Sequence, residues 1–230
     1  MSRAVRRAAF AVSLVLGGTA ACRQPEPATP QRAGSDEAAA PVQKGKAMAS
    51  TQDVGKMLED RGYQRLFMAM NDQAIDEAWN AAGGATGLDA VIGDTSTSWK
   101  ARYLAAELRL RKDPAWKPAD PGTVARAYAE ALRAEVMANP WGMPGELDEP
   151  LGKHVVALGE PAVAALGPLL TDARRIDYGG SKEATVGNEY QLRVKDFAAF
   201  FIAKIRNRKL TLDTDPRRRD PVIADLAASL

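Results

Sequence analysis

From Thr51 onward, apolar residues return at intervals of three and four. Met57 leads into Tyr63, Leu66, Phe67 and Met70, and Ile75, Ala78, Trp79 and Ala82 continue the series. That spacing places each set on one face of a helix. The periodic stretches are broken at Gly83-Gly84, Asp113-Pro114, Pro118 to Pro121, Asn139 to Pro144 and Gly179-Gly180. Glycine and proline are the strongest local breakers of regular structure, so these points separate successive helices. No stretch alternates apolar and polar residues with the β-branched enrichment of a strand. The pattern predicts an all-α fold over residues 51–230.

Two segments echo one another. Val91-Ile92-Gly93-Asp94 matches Leu169-Leu170-Thr171-Asp172, an apolar pair followed by an aspartate at a helix end. Ala101-Arg102-Tyr103-Leu104-Ala105-Ala106 then matches Val194-Lys195-Asp196-Phe197-Ala198-Ala199. Paired alanines allow helices to approach closely, and the base before them is expected on the exposed first turn. Leu158 to Leu170, reading LGEPAVAALGPLL, resembles the second helix of a HEAT-type repeat, and the two Ala-Ala segments resemble the first helices that follow. The resemblance covers about residues 72–110 and 151–207 and implies stacked antiparallel helix pairs, as a short α-solenoid or a compact helical domain. The middle segment, 120–150, does not match it.

The N-terminal fifty residues follow other rules. Arg3, Arg6 and Arg7 precede the apolar run AAFAVSLVL, and Gly17 to Ala21 are small. This is the layout of a secretory signal, whose apolar run is too short to span a bilayer. Thr19-Ala20-Ala21-Cys22 resembles a bacterial lipobox, with Thr19 at the usually leucine-like position. The resemblance implies cleavage after Ala21 and lipid on Cys22, the chain's only cysteine. Arg23 in place of an aspartate resembles enterobacterial sorting that favours the outer membrane. Residues 22–50 are rich in Pro, Ala and small polar residues and lack aromatics. Such a segment cannot offset its ordering entropy, which predicts a disordered tether behind a signal peptide of residues 1–21.

Charge changes the picture once the signal is set aside. The whole chain has 31 basic and 29 acidic residues, and losing the three leader arginines leaves 28 against 29. A near-neutral balance gives no support for nucleic-acid binding. The lone histidine, His154, excludes a multi-histidine metal site and is read as a surface or core-edge residue. Nucleophile-elbow, phosphate-loop, zinc and dinucleotide motifs are all missing, so no catalytic residue and no cofactor is expected. Asp213 and Asp215 lack the glycine and distal glutamate of a calcium loop.

Two segments are better candidates for binding. In Asn139 to Glu146, Trp141 either anchors a partner or plugs the junction beneath it. Residues 172–191 form a long connection where a short turn is expected; such loops are often functional. Arg174, Arg175, Tyr178, Lys182, Glu183 and Tyr190 could meet a partner there, or the two tyrosines could form a small core of the insertion. Lys204 to Lys209 and Arg217 to Arg219 make the C-terminal end basic, read as a solvated helix end or a surface for an anionic membrane. The expected protein is therefore a lipid-anchored interaction or scaffold module in the bacterial envelope with an unidentified protein partner. The alternatives are an envelope-acting enzyme or accessory factor using the 172–191 loop with Glu160 or Glu183, and a small-molecule sensor.

Overall fold

Side-chain caps start most helices where the sequence supplies them. The structure is a computed structural model that describes residues 49–69, 71–135, 137–180 and 182–230. The signal, Cys22 and nearly all of the tether lie outside the described residues. Ser50 accepts from the Asp53 amide at 3.1 Å and opens α1 (Thr51–Tyr63). Asn71 accepts from the Ala74 amide and opens α2 (Asp72–Ala81). Left-handed glycines at 83 and 84 turn the chain into α3 (Gly84–Gly93). Ser98 caps α4 (Trp99–Lys112), while Asp120 followed by Pro121 starts α5 (Pro121–Ala134). At α1, α2, α4 and α5 a side-chain oxygen satisfies an amide that the first turn would otherwise leave unpaired.

The second half is built from shorter pieces. A 3₁₀ turn (Asn139–Trp141) precedes α6 (Pro150–Ala157) and α7 (Glu160–Leu166), which runs into another 3₁₀ segment (Gly167–Thr171). Then come α8 (Lys182–Glu189), α9 (Val194–Ile205) and α10 (Pro216–Ala228). The fold is all-α, with no strand among the described residues. The 172–191 connection is not an unstructured loop. It holds α8, and single bridges join Asp177 to Met137 and Arg175 to Arg193.

Helix α4 packs against α1, α3 and α5; α5 packs on α7, and α7 on α9. Both α6 and α10 also rest on α9. One apolar cluster runs through the whole set. The paired alanines Ala105-Ala106 and Ala198-Ala199 are all fully buried within it. Phe197 and Phe201 fill the space around α9. Each contributes about 1.5–3 kcal/mol by leaving water.

The two echoing aspartates share a local geometry. Asp94 and Asp172 both leave a helix in the same extended conformation, φ −80° with ψ 105° and 101° respectively. Each carboxylate then accepts the amide two residues on, Ser96 at 2.9 Å and Arg174 at 3.0 Å. These hydrogen bonds form the same Asx turn twice. Side-chain hydrogen bonds hold both carboxyls below their ordinary range, from Ser96 and Thr51 at Asp94 and from Arg174 at Asp172. The bases in the echo are less exposed than their position suggests. Arg102 is half-buried, and Lys195 pairs with Asp220 at 2.8 Å.

Candidate functional site

Helix α5 carries Arg126, Glu130 and Arg133 at i, i+4 and i+7, one stripe on its outer side. Its opposite side supplies the buried residues Val124, Tyr128 and Leu132. The outer stripe lies in an open groove of about 540 Å³, walled by the start of α4 and by α7. Half-buried Trp99 and Arg102 come from α4, and Ala164, Ala165 and Pro168 come from α7 and its 3₁₀ extension. The size falls in the usual range for ligand-binding clefts, about 300–1,000 Å³.

The groove is electrostatically uneven. Arg133 pairs with Glu130 at 3.2 Å. Among the described residues, Arg126 donates to the Thr123 hydroxyl at 2.8 Å, and Arg102 to the Ser98 carbonyl at 3.3 Å. Neither has a carboxylate partner within 4.0 Å among the described residues, whereas eleven of the fifteen described arginines do. At the start of α4 the N-cap Ser98 hydroxyl donates to the Glu59 carboxylate at 2.5 Å, which sits at the positive end of that helix.

A second concavity, of about 380 Å³, opens beside a distortion that follows α1. Gly62 leaves the helical region at φ 69°, and Gln64–Met68 winds as one π-turn closed by Ala69 N–H donating to the Gln64 carbonyl. Such single π-turns are frequent at functional sites. Tyr63, Arg65, Met68, Glu135 and Met137 line the opening. Burial, with the charges of Glu107, Glu149 and Glu135, pushes the Tyr63 hydroxyl far above its ordinary pKa. It stays a neutral donor at any physiological pH.

Behind Tyr63 lies a buried polar set. Tyr63 stacks on Tyr103 at 5.8 Å, and Tyr103 meets Tyr128 edge-on at 5.3 Å. The Tyr128 hydroxyl donates to Glu107 Oε1, and His154 Nδ1 lies 2.8 Å from the same oxygen. Glu107 is 3% exposed, so its carboxylate has few alternatives to these two donors. Here His154 sits at the core edge, and its partner lies 47 residues upstream instead of among its neighbours. The pair has the form of an oriented base, but no hydroxyl or thiol is bonded to His154 among the described residues. It therefore ties α6 to α4.

The residues singled out from sequence do not converge on one surface. Trp141 is 1% exposed, takes the buried of its two placements, and lies 6.2 Å from the Phe201 ring. Its indole N–H has no partner among the described residues. Tyr178 is also buried; it donates to the Gly142 carbonyl at 2.8 Å and faces Phe197. Half-buried Tyr190 packs on the main core, so the tyrosines do not form a separate core of the insertion. Arg174 and Arg175 are exposed and pair locally with Asp172 and Asp177. The side chains of Lys182 and Glu183 lie outside the described residues. Arg174 alone reaches toward the groove, donating to the Arg133 carbonyl at 2.6 Å.

The basic C-terminal run divides in two. Arg217 and Arg218 are exposed, but Arg219 is fully buried against Asp196. Among the described residues, no cluster of His, Cys, Asp and Glu could hold a metal ion, and no single helix is long and apolar enough to cross a membrane. Compared with known protein families, characterised proteins and solved structures, the chain has no match.

Proposed function

We propose that this chain is a lipid-anchored, extracytoplasmic interaction module of the bacterial envelope. Lipid on Cys22 attaches it to a membrane, with the outer membrane favoured by Arg23. The Pro- and Ala-rich tether holds a domain of HEAT-like helix pairs away from the lipid surface. The repeated Asx turns and buried alanine pairs support the repeat reading. A single observation carries the docking role: the groove over α4, α5 and α7 exposes two arginines without carboxylate partners beside Trp99. Guanidinium groups and half-buried tryptophan are the side chains on which protein interfaces concentrate their energy.

Two readouts test this. Radiolabelled palmitate should enter the wild type and not Cys22→Ala; labelling of both or neither removes the anchor. A photo-cross-linking residue at exposed Ala164 should give a discrete adduct in intact cells, and one at exposed Lys209 should not. The same adducts from both positions would refute docking through the groove.

A further inference from the structure

We infer that the groove recognises an acidic, extended protein segment; this rests on its reading as a docking surface. The first ground is charge. Arg102, Arg126 and Arg133 line it against one carboxylate, Glu130. Elsewhere this protein neutralises its arginines closely, down to the fully buried Arg219–Asp196 pair at 3.0 Å. Of the four described arginines with no carboxylate partner, Arg65, Arg102, Arg126 and Arg208, two face the same groove. Positive charge left in a concave, partly desolvated place attracts anions more strongly than the same charge on an open surface.

The second ground is spacing. Arg126 and Arg133 are seven residues apart on α5, which separates their backbone positions by about 10 Å along the axis. Carboxylates two and four residues apart share one face of an extended chain, about 7 and 13 Å from one another, and bracket that distance. A single phosphate or headgroup would need converging donors, whereas a strand with a carboxylate at each end meets this row. Glu130 lies between the two on the stripe, paired with Arg133, and beside it the surface is small and apolar, with Ala129 on α5, Ala164 and Ala165 on α7, and Trp99 against the α4 wall. Short aliphatic side chains between the acids fit that strip.

The test uses the full chain and a fluorescein-labelled hexapeptide of alternating aspartate and alanine, with its asparagine counterpart as control. Fluorescence anisotropy should show binding of the aspartate peptide alone, weakening as salt rises. Arg102→Gln and Arg126→Gln should each weaken it about tenfold, the loss of one charge-assisted contact. Neither arginine has an ion pair to lose, so thermal melts should stay at the wild-type value. Amide shifts on adding peptide should map to α5 and the start of α4. Equal binding of both peptides would overturn the anionic preference and leave a docking groove. Displacement of the peptide by inorganic phosphate, or by phosphatidylglycerol vesicles at matched charge, would instead make this an anion or lipid site and overturn the inference. Absence of peptide binding also overturns it; an Ala164 adduct would then still support the docking reading, and loss of both would end it.

Discussion

Removing Arg219 should cost far more than its place in a run of three arginines suggests. Its guanidinium donates to Asp196 at 3.0 Å, to the Asp213 carbonyl at 2.6 Å and to the Tyr190 carbonyl at 2.7 Å. It thereby joins α9, α10 and the end of the 172–191 segment. Deleting one partner of a buried ion pair costs about 3–5 kcal/mol, because the other is left uncompensated. Arg193 still donates to Asp196 from its Nε and from its backbone amide, which covers that carboxylate. Arg219→Met should therefore fall near the lower end, about 3 kcal/mol. Asp196→Leu leaves buried Arg219 without a carboxylate, while Arg193 keeps Asp220 at 2.7 Å, and should reach the upper end, about 5 kcal/mol. The double variant should cost less than the two singles together, by about 2 kcal/mol, since residues within one network couple. Urea unfolding of the whole chain followed by circular dichroism gives these values, provided the slope against denaturant is unchanged. A cost below about 1 kcal/mol for Arg219→Met, a typical exposed pair, would refute the reasoning, as would strict additivity.

Other changes probe the remaining contacts. A β-carbon on Gly187 would lie 2.2 Å from the Tyr178 ring, so Gly187→Ala should lift α8 and speed proteolysis within 172–191 at a cost of about 1–3 kcal/mol; unchanged protection would count against that packing. Glu107→Leu orphans the Tyr128 hydroxyl and should cost about 2 kcal/mol, with Tyr128→Phe in the same chain restoring part of it; an additive loss would contradict the shared hydrogen bond. The Arg193 guanidinium and then the Lys195 ammonium, ion-paired with Asp220 at 2.7 and 2.8 Å, hold its carboxyl down at about 2, against an ordinary 3.8. A lowered folded value stabilises the fold above the ordinary pKa and loses that stabilisation as pH falls toward the lowered one. Asp220→Asn should therefore destabilise at pH 7 and make no difference at pH 2, as acid titration of the melting temperature would show.

The helices were legible because their information is local. Breakers at Gly83-Gly84 and three–four periodicity both act within a few residues. The aspartate echo was legible too, because an Asx turn involves only a carboxylate and the amide two residues on. What the sequence hid depends on distant partners. Arg219 differs from Arg217 and Arg218 only in pointing at Asp196, 23 residues away in the chain. Nothing near His154 announces Glu107, and nothing near Tyr178 announces the Gly142 carbonyl. Helix α8 was missed because KEATVGNE has little apolar content and a glycine that reads as a breaker. That glycine is instead the point where the helix approaches the Tyr178 ring. Arg126, Glu130 and Arg133 stand at i, i+4 and i+7, but their place in a groove, and the lack of an acid partner at Arg102 and Arg126, arise only in tertiary packing.

The docking account meets its most direct test in the Ala164 photo-cross-linker combined with Arg102→Gln and Arg126→Gln, with both sides of the adduct mapped by mass spectrometry. It predicts an adduct on an aspartate- or glutamate-rich segment of one partner, lost when the two charges are removed while the fold melts normally. An adduct of equal yield in the charge-free groove, or one on a segment without acidic residues, would contradict it.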